Sequence, residues 1–391
     1  MAKVDFCHQS RGLVNKPIKV GWISCVGEKG GAESLMLECI RALDRTAFEA
    51  HVIQLRPGPL AALTREAGGV PHVLGQHRVR ELHKVWAAVG AICRIARQEG
   101  LQLFHSNGFR AHLYGGLAAW RTKIPEVWTT FTFEAPTLGN QAILKIPTRK
   151  VLAICPRTAD FFQAAGLTTT MIWPGVNVAD LEARAARAPR QLLADKYRIP
   201  AGRPWLVSGA RLQRYKGQLD FLEALAASPR AAGTHGVIIG GSLFGAESDY
   251  ARELKARAHT LGIADRVTFT GFVSDDELAG FLAAALVVVH PAYHEDFGLT
   301  VAEAQVLGIP VLTYAEVGPA AIIRHSETGW LAPIGDVGRL TMLLDDILAH
   351  PERLPSVGAR GRRRVMAEFG AEEHARLTME EYRRVLPPRS G

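Results

Sequence analysis

Two carboxylates eight positions apart mark the stretch of this sequence best suited to bind a ligand. Glu295 and Glu303 lie in the phrase HEDFGLTVAEAQVLGIP, residues 294–310. A helix that begins near Leu299 leaves Glu295 in the preceding loop and places Glu303 in the early helical turns. Free N–H groups and the positive dipole end at a helix start suit phosphate or sugar oxygens. The stretch therefore predicts a pocket for a ligand rich in hydroxyls and phosphates. An acidic turn that only complements the helix dipole is the alternative.

A loop bounded by glycines in the second half of the chain carries cations suited to a diphosphate. It spans Gly209–Gly217, with the sequence GARLQRYKG, and contains Arg211 and Lys216. These side chains suit a diphosphate, the arginine through its planar fork and the lysine as a point charge. Fixed cations at this place would stabilise the charge that develops on a departing nucleoside diphosphate. A solvated surface pair is the ordinary alternative.

Apolar runs precede both loops and predict the strands that position them. Trp205–Ser208 stands before the cationic loop, and Phe281–Val289 stands before the acidic loop. Such runs are too short to span a membrane and suit strands buried on both faces of a parallel sheet. Ligands collect at the carboxyl ends of strands in open α/β sheets. Both loops are therefore predicted at positions where this architecture binds ligands.

The beginning of the chain predicts a strand, a loop containing glycines, a helix and a second strand. These elements are expected at Ile18–Ser24, Val26–Glu33, Ser34–Leu43 and Ala50–Leu55. Their order is typical of the mononucleotide-binding half of a doubly wound sheet. Gly30 and Gly31 let backbone N–H groups approach a phosphate at the helix start, although a loop that only needs positive φ explains them equally well. The glycines do not form G-x-G-x-x-G, which argues against a dinucleotide site.

Strands and helices then alternate in two series, and this pattern predicts an α/β protein with two parallel-sheet domains that face one another. Further strands of the first series are expected at Leu101–His105, Glu126–Phe131, Val151–Cys155 and Met171–Trp173. Those of the second series are expected at Gly236–Gly241, Val267–Thr270, Leu286–His290 and Pro310–Thr313. Helices are expected at Pro59–Glu66, Leu82–Gln98 and within 338–387, and Ala179–Arg203 is predicted to be a linker and approach segment.

Length and composition fit a soluble globular protein with two cores. The chain has 391 residues, of which 48% are hydrophobic and 21% are charged. The number of cysteines is five and no C-x-x-C occurs, which argues against a disulfide framework and a zinc site. The N-terminus lacks the apolar segment of a signal peptide, and no apolar run reaches the length of a spanning helix. We therefore expect a cytoplasmic protein.

The net charge of +8 belongs entirely to the first half of the chain. Residues 1–184 contain 22 Lys and Arg against 14 Asp and Glu, whereas residues 185–391 contain 24 of each kind. This bias suggests an acidic partner for the first half, such as an anionic acceptor or an anionic membrane surface. No recognisable nucleic-acid motif accompanies the basic residues, so we expect no nucleic-acid partner. A solvated basic surface without a partner is the alternative.

The phrase at 294–312 resembles the E-x7-E signature of the retaining glycosyltransferases of family 4, which have the GT-B fold. The cationic loop is similar to the family pattern G-R-L-x-x-x-K-G, with one residue inserted before the arginine. GGAE at 30–33 stands where the first domain of the family meets the donor diphosphate. The resemblance covers residues 18–387. It implies two Rossmann-like doubly wound domains across a cleft, at 1–184 and 185–371, with a C-terminal helix at 372–391 that packs back on the N-terminal domain.

The resemblance also implies roles for individual residues. Arg211, Lys216 and Glu295 would carry the transfer chemistry, with Glu295 contacting hydroxyls of the transferred sugar. Glu303 would bind the ribose hydroxyls, and backbone groups at Phe272 and Val273 would contact the base. The complete implied donor site consists of Gly30, Gly31, Gly209, Phe272, Val273, Phe297, Gly298, Leu299 and Glu303.

One position on the acceptor side departs from the family pattern. Family members often carry a histidine in a phrase such as T-F-H after a strand of the first domain. In the corresponding phrase TTFTFEAP, Thr132 takes that place, and a threonine cannot act as an acid or base near neutral pH. Glu134 and His105 are the candidates that could compensate for the missing histidine. A structural histidine is the alternative interpretation of His105.

The resemblance implies a retaining transferase that moves a sugar from a UDP- or GDP-sugar to a glycan, lipid-linked or small-molecule acceptor. The chain has no D-x-D triplet, so we expect the Arg–Lys loop to replace a metal, with no cofactor. Domain closure implies a hinge near 178–200. The basic first half is also compatible with peripheral contact at the inner membrane face. The alternatives are a non-catalytic glycosyltransferase-like subunit and a GT-B nucleotide-sugar epimerase; the failed glycine fingerprint disfavours a nicotinamide oxidoreductase.

Overall fold

The computed structural model describes residues 16–75, 82–131, 138–241 and 249–387. These residues form two parallel sheets, each with hydrophobic clusters on both faces. Successive residues of one strand enter opposite clusters, as Leu206 and Val207 do in the second sheet. Full burial on both faces explains why the strands are continuous apolar runs rather than alternating ones. We call the parts built on the two sheets the N-terminal and C-terminal domains.

The N-terminal sheet has seven parallel strands in the order β3-β2-β1-β4-β5-β6-β7. Its strands are β1 (Ile18–Ser24), β2 (Phe48–Gln54), β3 (Val70–Val73), β4 (Leu103–Asn107), β5 (Glu126–Thr130), β6 (Lys150–Ala153) and β7 (Thr169–Met171). The helices between them are α1 (Gly31–Arg41), α2 (Leu60–Glu66), α3 (Leu82–Glu99), α4 (Phe109–Thr122), α5 (Leu138–Leu144) and α6 (Pro156–Ala164).

The C-terminal sheet has six parallel strands in the order β10-β9-β8-β11-β12-β13. Two helices, α7 (Val178–Arg187) and α8 (Arg190–Tyr197), precede it. Its strands are β8 (Trp205–Gly209), β9 (His235–Ile239), β10 (Val267–Gly271), β11 (Ala285–His290), β12 (Val311–Tyr314) and β13 (Trp330–Ala332). Its other helices are α9 (Gln218–Ala227), α10 (Asp249–Thr260), α11 (Asp275–Ala283), α12 (Leu299–Val306), α13 (Val317–Ile322), α14 (Val337–Ala349) and α15 (Leu354–Glu368), followed by α16 (Ala371–Val385).

The order of each sheet reverses once, between β1 and β4 and between β8 and β11. Connections leave such a position in opposite directions and open a crevice outside the strand ends, where ligands bind in doubly wound sheets. The loops after β1, β8 and β11 are those that the sequence analysis selected. The α/β architecture with two Rossmann-like sheets confirms the predicted fold class.

Three predicted segments differ from the structure. The apolar run Phe281–Val289 is divided, because α11 continues to Ala283 and β11 begins at Ala285; apolar periodicity alone does not separate a buried helix end from a strand. The predicted linker Ala179–Arg203 contains α7 and α8. The predicted domain boundary at 184 falls inside α7, whose buried Leu181 belongs to a hydrophobic cluster of the C-terminal domain.

The chain crosses between the domains at two segments that are hydrogen-bonded to each other. The N–H of Val176 donates to the carbonyl of Phe369 at 2.9 Å, and the N–H of Ala371 donates to the carbonyl of Val176 at 3.1 Å. A Cβ atom at Gly175 would lie 2.6 Å from the Cα atom of Ala371, so this close approach requires glycine. The first crossing lies just before the hinge predicted at 178–200, and the second, at Phe369–Ala371, is paired with it.

Helix α16 returns to the N-terminal domain, as the sequence analysis expected. Its buried residues Ala375, Met379 and Tyr382 belong to a hydrophobic cluster of the first sheet. The hydroxyl of Tyr382 lies 2.5 Å from Nδ1 of His105, and Nε2 of His105 lies 2.6 Å from Oγ1 of Thr129. Burial lowers the pKa of His105 well below its usual range, so the ring is neutral. His105 therefore anchors α16 on the N-terminal domain. This is the role of a structural histidine, the alternative that the sequence left open for this residue.

Within the four described ranges, no helix combines the length and the apolar character needed to cross a membrane.

Replacing Tyr382 with phenylalanine should destabilise the protein. The substitution leaves Nδ1 of His105 buried without its hydrogen-bond partner, which costs about 1–3 kcal/mol of the free energy of unfolding. Urea unfolding would measure this loss. Tyr215→Phe is the matched control, because that hydroxyl is exposed and should change stability by less than about 0.5 kcal/mol. Equal effects of the two substitutions would contradict the anchoring role.

Candidate active site

A cavity of about 620 Å³ lies between the two domains. The N-terminal domain contributes the start of α1 and the side chain of Phe131. The C-terminal domain contributes the loops after β8 and β11 and the starts of α11 and α12. Residues of the crossing segment and α7 close one side. The charged and polar residues on its wall are Lys29, Ser34, Glu38, Asn177, Asp180, Arg184, Arg211, Tyr215, Lys216, Asp275, His294, Glu295, Asp296, Thr300 and Glu303.

An ion pair joins the two loops that the sequence analysis selected. Nζ of Lys216 lies 2.7 Å from Oε2 of Glu295, and Nε2 of His290 donates to the same oxygen at 2.9 Å. Burial raises the pKa of the Glu295 carboxyl, but the hydrogen bonds and charge attraction of His290 and Lys216 outweigh it and lower the pKa to about 2. Glu295 is therefore ionised at neutral pH and accepts hydrogen bonds rather than donating a proton.

Two glycines allow these loops to reach each other. Gly217 has φ of 72°, and a Cβ atom there would lie 1.9 Å from the carbonyl oxygen of Pro291 in the opposite loop. Gly298 has φ of 90° and is the N-cap of α12. Residues with side chains rarely adopt such positive φ angles. The glycines at these positions are therefore required by the backbone of the site.

The start of α12 presents backbone N–H groups to the cavity. Gly298, Leu299 and Thr300 line it, and the first N–H groups of a helix have no acceptor within that helix. Phe297 also touches the cavity, while its buried ring packs near Trp173 and Phe369 of the crossing segments. The side chain of Phe297 thus fixes the helix start against the crossing segments. The N–H groups together with the helix dipole attract anions.

Glu303 lies farther along α12 on the same cavity wall as Glu295. Burial raises the pKa of its carboxyl to about 7; Arg184 and Lys29 oppose the rise, and Asp275 adds to it. Nζ of Lys29, from the N-terminal domain, donates to Oδ2 of Asp275 at 2.5 Å. This contact places opposite charges of the two domains beside Glu303.

Arg211 is the other cation that the sequence analysis selected in the loop after β8. Its exposed side chain lines the cavity and has no ion-pair partner among the residues that the structure describes. The amide of Gln218 donates to the carbonyl of Arg211 at 3.0 Å and holds the backbone there. Gly209 ends β8 but is not part of the cavity wall. Arg211 is therefore available to an anionic ligand.

The glycine loop of the N-terminal domain ends at the start of α1. Gly30 is the N-cap, and its N–H donates to Oε2 of Glu33 at 3.3 Å. Glu33 already satisfies this group, and the residues of this loop that line the cavity are Lys29, Gly31 and Ala32. Gly30 supports the turn instead of forming the wall.

The remaining predicted residues lie elsewhere or outside the described ranges. Phe272, which is 62% exposed, and Val273 follow β10 and are not part of the cavity wall. His105 lies inside the N-terminal domain, so it does not face the cavity. Thr132 and Glu134 fall outside the described residues.

Several charged wall residues escaped the sequence analysis. Lys29 stands directly before the phrase GGAE, and Asp275 stands two residues after Val273, so proximity to the selected residues was a usable signal. Arg184 lies in an Ala/Arg-rich helix whose composition gives no such signal. Arg184 and Asp275 lie together within the C-terminal domain, with 3.8 Å between Nη1 and Oδ2, and Lys29 joins them near Glu303 only because the two domains approach each other.

Comparisons with known proteins bear on both domains. The family model described as Glycosyl transferases group 1 matches residues 189–364. The model described as Glycosyltransferase Family 4 matches residues 29–180. The two matches follow one another along the chain and contain the cationic loop, the E-x7-E phrase and most of the glycine loop.

Curated relatives include a D-inositol 3-phosphate glycosyltransferase from Xylanimonas cellulosilytica, 26% identical over 91% of this chain and 92% of the relative. A 2-deoxystreptamine N-acetyl-D-glucosaminyltransferase from Streptomyces fradiae is 31% identical over 49% of this chain and 45% of the relative. A GDP-mannose-dependent phosphatidylinositol monomannoside mannosyltransferase from Mycobacterium tuberculosis is 32% identical over 50% of this chain and 51% of the relative. The matches to the last two thus span about half the length of each relative.

Solved structures with a similar fold include HepE from Anabaena in complex with UDP and glucose, with a TM-score of 0.79 and 21% identity over 94% of this chain and all of that chain. A glycosyltransferase from Rickettsia africae has a TM-score of 0.81 and 16% identity over 94% of this chain and 98% of that chain. These likenesses identify the fold as GT-B. The two family matches, at residues 29–180 and 189–364, show that the chain belongs to the group 1 and family 4 glycosyltransferases.

Proposed function

We propose that this protein is a retaining, metal-independent glycosyltransferase that uses a nucleotide-diphosphate sugar. The observation that carries the proposal is the Lys216–Glu295 ion pair beside the free N–H groups of α12, in a cleft between two domains. Cations and N–H groups match a diphosphate, and an ionised carboxylate matches sugar hydroxyls. One cavity therefore offers partners for the diphosphate and the sugar hydroxyls of such a donor.

The donor is proposed to lie along the C-terminal wall of the cleft. Arg211, Lys216 and the N–H groups of α12 bind the diphosphate, Glu303 binds the ribose hydroxyls, and Glu295 binds the sugar. With Lys216 and Arg211 as fixed cations, the charge on the departing diphosphate is stabilised without a metal. Glu295 has too low a pKa to donate a proton near neutral pH.

Transfer breaks the bond between the anomeric carbon of the sugar and the phosphate oxygen. The acceptor oxygen forms its new bond to the same carbon on the same face, and the departing phosphate takes the proton of the acceptor hydroxyl. Atoms and charge balance in this step without a protein nucleophile. The configuration at the anomeric carbon is therefore retained.

The relatives guide the choice of donor and acceptor. HepE was crystallised with UDP and glucose, and the mycobacterial relative is GDP-mannose-dependent, so UDP- and GDP-sugars are the proposed donors. The names of the relatives indicate acceptors built on inositol or deoxystreptamine rings. We propose a glycan, lipid-linked or small-molecule acceptor, with the basic N-terminal domain suited to an anionic or membrane-associated one.

The alternative activities give different experimental results. A non-catalytic subunit would bind a nucleotide or a partner protein and transfer nothing. An epimerase would convert the donor sugar without any acceptor. The presence of Arg211, Lys216, Glu295 and Glu303 on one cavity wall favours the transferase over the non-catalytic subunit.

A thermal-shift panel of UDP, GDP, ADP and their sugar conjugates should identify the donor nucleotide. A ligand at about 100 times its dissociation constant stabilises the folded protein by roughly 2.7 kcal/mol. We expect one nucleotide to raise the melting temperature of the wild type equally with and without magnesium. Lys216→Ala and Glu303→Ala should reduce this ligand-induced shift, each compared with its own ligand-free state.

Arg257→Ala is a control for the panel, because Arg257 pairs with Glu223 away from the cavity. This variant should keep the wild-type ligand-induced shift. No shift with any nucleotide would favour a non-catalytic protein that does not bind nucleotides. A shift that survives both cavity substitutions would place the nucleotide elsewhere.

Nucleotide affinity should increase as Glu303 ionises. Because the pKa of the Glu303 carboxyl is about 7, only a minority of these carboxyls are ionised at pH 6. If the ionised carboxylate binds the ribose hydroxyls, only this fraction of the protein is competent to bind the nucleotide. The dissociation constant should then fall roughly tenfold between pH 6 and pH 8, in proportion to the competent fraction. Isothermal titration calorimetry with the nucleotide identified by thermal shift would measure this change.

Glu303→Gln separates this effect from titration of the nucleotide phosphate. The variant keeps the shape of the side chain and loses its titration, so any remaining pH dependence belongs to the phosphate or to other groups. We expect a smaller change in affinity with pH than in the wild type. The same pH dependence in both proteins would contradict the role of Glu303.

A further inference from the structure

The guanidinium of Arg157 joins the two domains outside the cavity wall. Arg157 is the second residue of α6 in the N-terminal domain. Its Nη2 atom lies 2.9 and 2.7 Å from the two carboxylate oxygens of Glu316, and its Nη1 atom lies 3.4 Å from Oδ1 of Asp296. Both carboxylates belong to the C-terminal domain, and the Glu316 side chain is only 8% exposed. One planar side chain thus neutralises two carboxylates of the opposite domain.

These carboxylates lie directly beside Glu295. Asp296 is its neighbour in the chain, and Oε2 of Glu316 accepts a hydrogen bond from the N–H of Glu295 at 3.3 Å. On the other side of the same residue, the N–H of Gly318 donates to the carbonyl of Glu295 at 3.1 Å. The backbone of Glu295 is therefore held by the start of α13, and Arg157 holds Glu316 in the position that makes this contact.

The start of α6 adds a second attraction to Asp296. Cys155 is the N-cap of α6, and its thiol donates to Oδ1 of Asp296 at 3.5 Å. The positive end of the helix dipole and the guanidinium of Arg157 both belong to the N-terminal domain. An opening of the cleft would remove them together and leave Glu316 without its cation.

We propose that Arg157 is a positioning residue that orders the Glu295 loop for sugar transfer when the two domains close. The proposal rests on the proposed function, because it assigns Arg157 an effect on a reaction at that site. Arg157 does not itself line the cavity, so it acts through Glu316 and through the wall residue Asp296. The reaction step then depends on closure, whereas the nucleotide contacts at Arg211, Lys216 and Glu303 lie within the C-terminal domain.

The test separates nucleotide binding from turnover in Arg157→Met and Arg157→Lys. Methionine removes the charge, and lysine keeps it but has one nitrogen that cannot hold both carboxylates in the same geometry. The probes are UDP for binding and UDP-glucose for turnover, with water as the acceptor and release of UDP as the readout. GDP and GDP-mannose replace them if the guanine nucleotide binds the wild type. The dissociation constant of the nucleotide should change less than about threefold, while kcat falls about 100-fold in Arg157→Met, the size expected for a misplaced reacting group.

Arg157→Lys should recover part of this loss, because a positive charge again lies near Glu316. It is also the variant that keeps the proposal testable if Arg157→Met does not fold, which circular dichroism would reveal. Arg257→Met is the matched control: it breaks the Arg257–Glu223 ion pair within the C-terminal domain and should keep the wild-type kcat.

A double-mutant cycle with Glu316→Gln tests whether Arg157 affects kcat through Glu316. Because Arg157 and Glu316 act as one unit, the double variant Arg157→Met/Glu316→Gln should be no slower than the slower single variant. Multiplied losses would contradict an action through Glu316. Unchanged kcat in Arg157→Met, or loss of nucleotide binding equal to the loss of kcat, would overturn the positioning role.

The same experiment distinguishes the two proposals. A wild type that binds neither nucleotide and turns over neither donor would refute the proposed function, and the role of Arg157 with it. A wild type that binds a nucleotide and turns over its sugar conjugate, together with an equally fast Arg157→Met, would refute only the role of Arg157.

Discussion

The parallel pairing of β8 with β11 is the constraint on which the candidate site depends. Register pairs such as Val207 with Val288 make both strands end at the same edge of the sheet. The loops that follow can therefore meet, and Lys216 reaches Glu295 across them. Opposite charges that are largely removed from water lose hydration, and only good geometry offsets this cost. The Lys216–Glu295 ion pair can therefore hold a fixed arrangement for a ligand only because both loops start from the same rigid edge of the sheet.

The second constraint is the approach of the two domains. Helix α16 returns to the N-terminal domain, so the chain crosses the interface twice, and the two crossings are bonded at Val176. Lys29 and Arg157 then reach carboxylates of the C-terminal domain on different sides of the Glu295 loop. A donor bound to one domain would meet the groups of the other on closure, which is how two-domain enzymes exclude water from a reaction.

The sequence predicted the local parts of this arrangement well. β1 and the start of α12 lie where apolar runs and glycines placed them, because these signals act within a few residues. The short edge strands β3 and β13 escaped prediction, since β3 contains Pro71 and β13 has only three residues. The pairs Lys29–Asp275 and Arg157–Glu316 join residues more than 150 positions apart. Strand periodicity and motif spacing carry no information on such contacts, which arise from tertiary packing.

The stereochemistry of the reaction tests the central proposal most directly. Purified protein would be incubated with the α-linked nucleotide sugar that it binds, and proton NMR would follow the anomeric signal of the product at early times, with magnesium and with a chelator. The account predicts an α-linked product that forms at the same rate in both conditions. A β-linked product would contradict a retaining reaction, and conversion of the donor sugar without transfer would identify an epimerase instead.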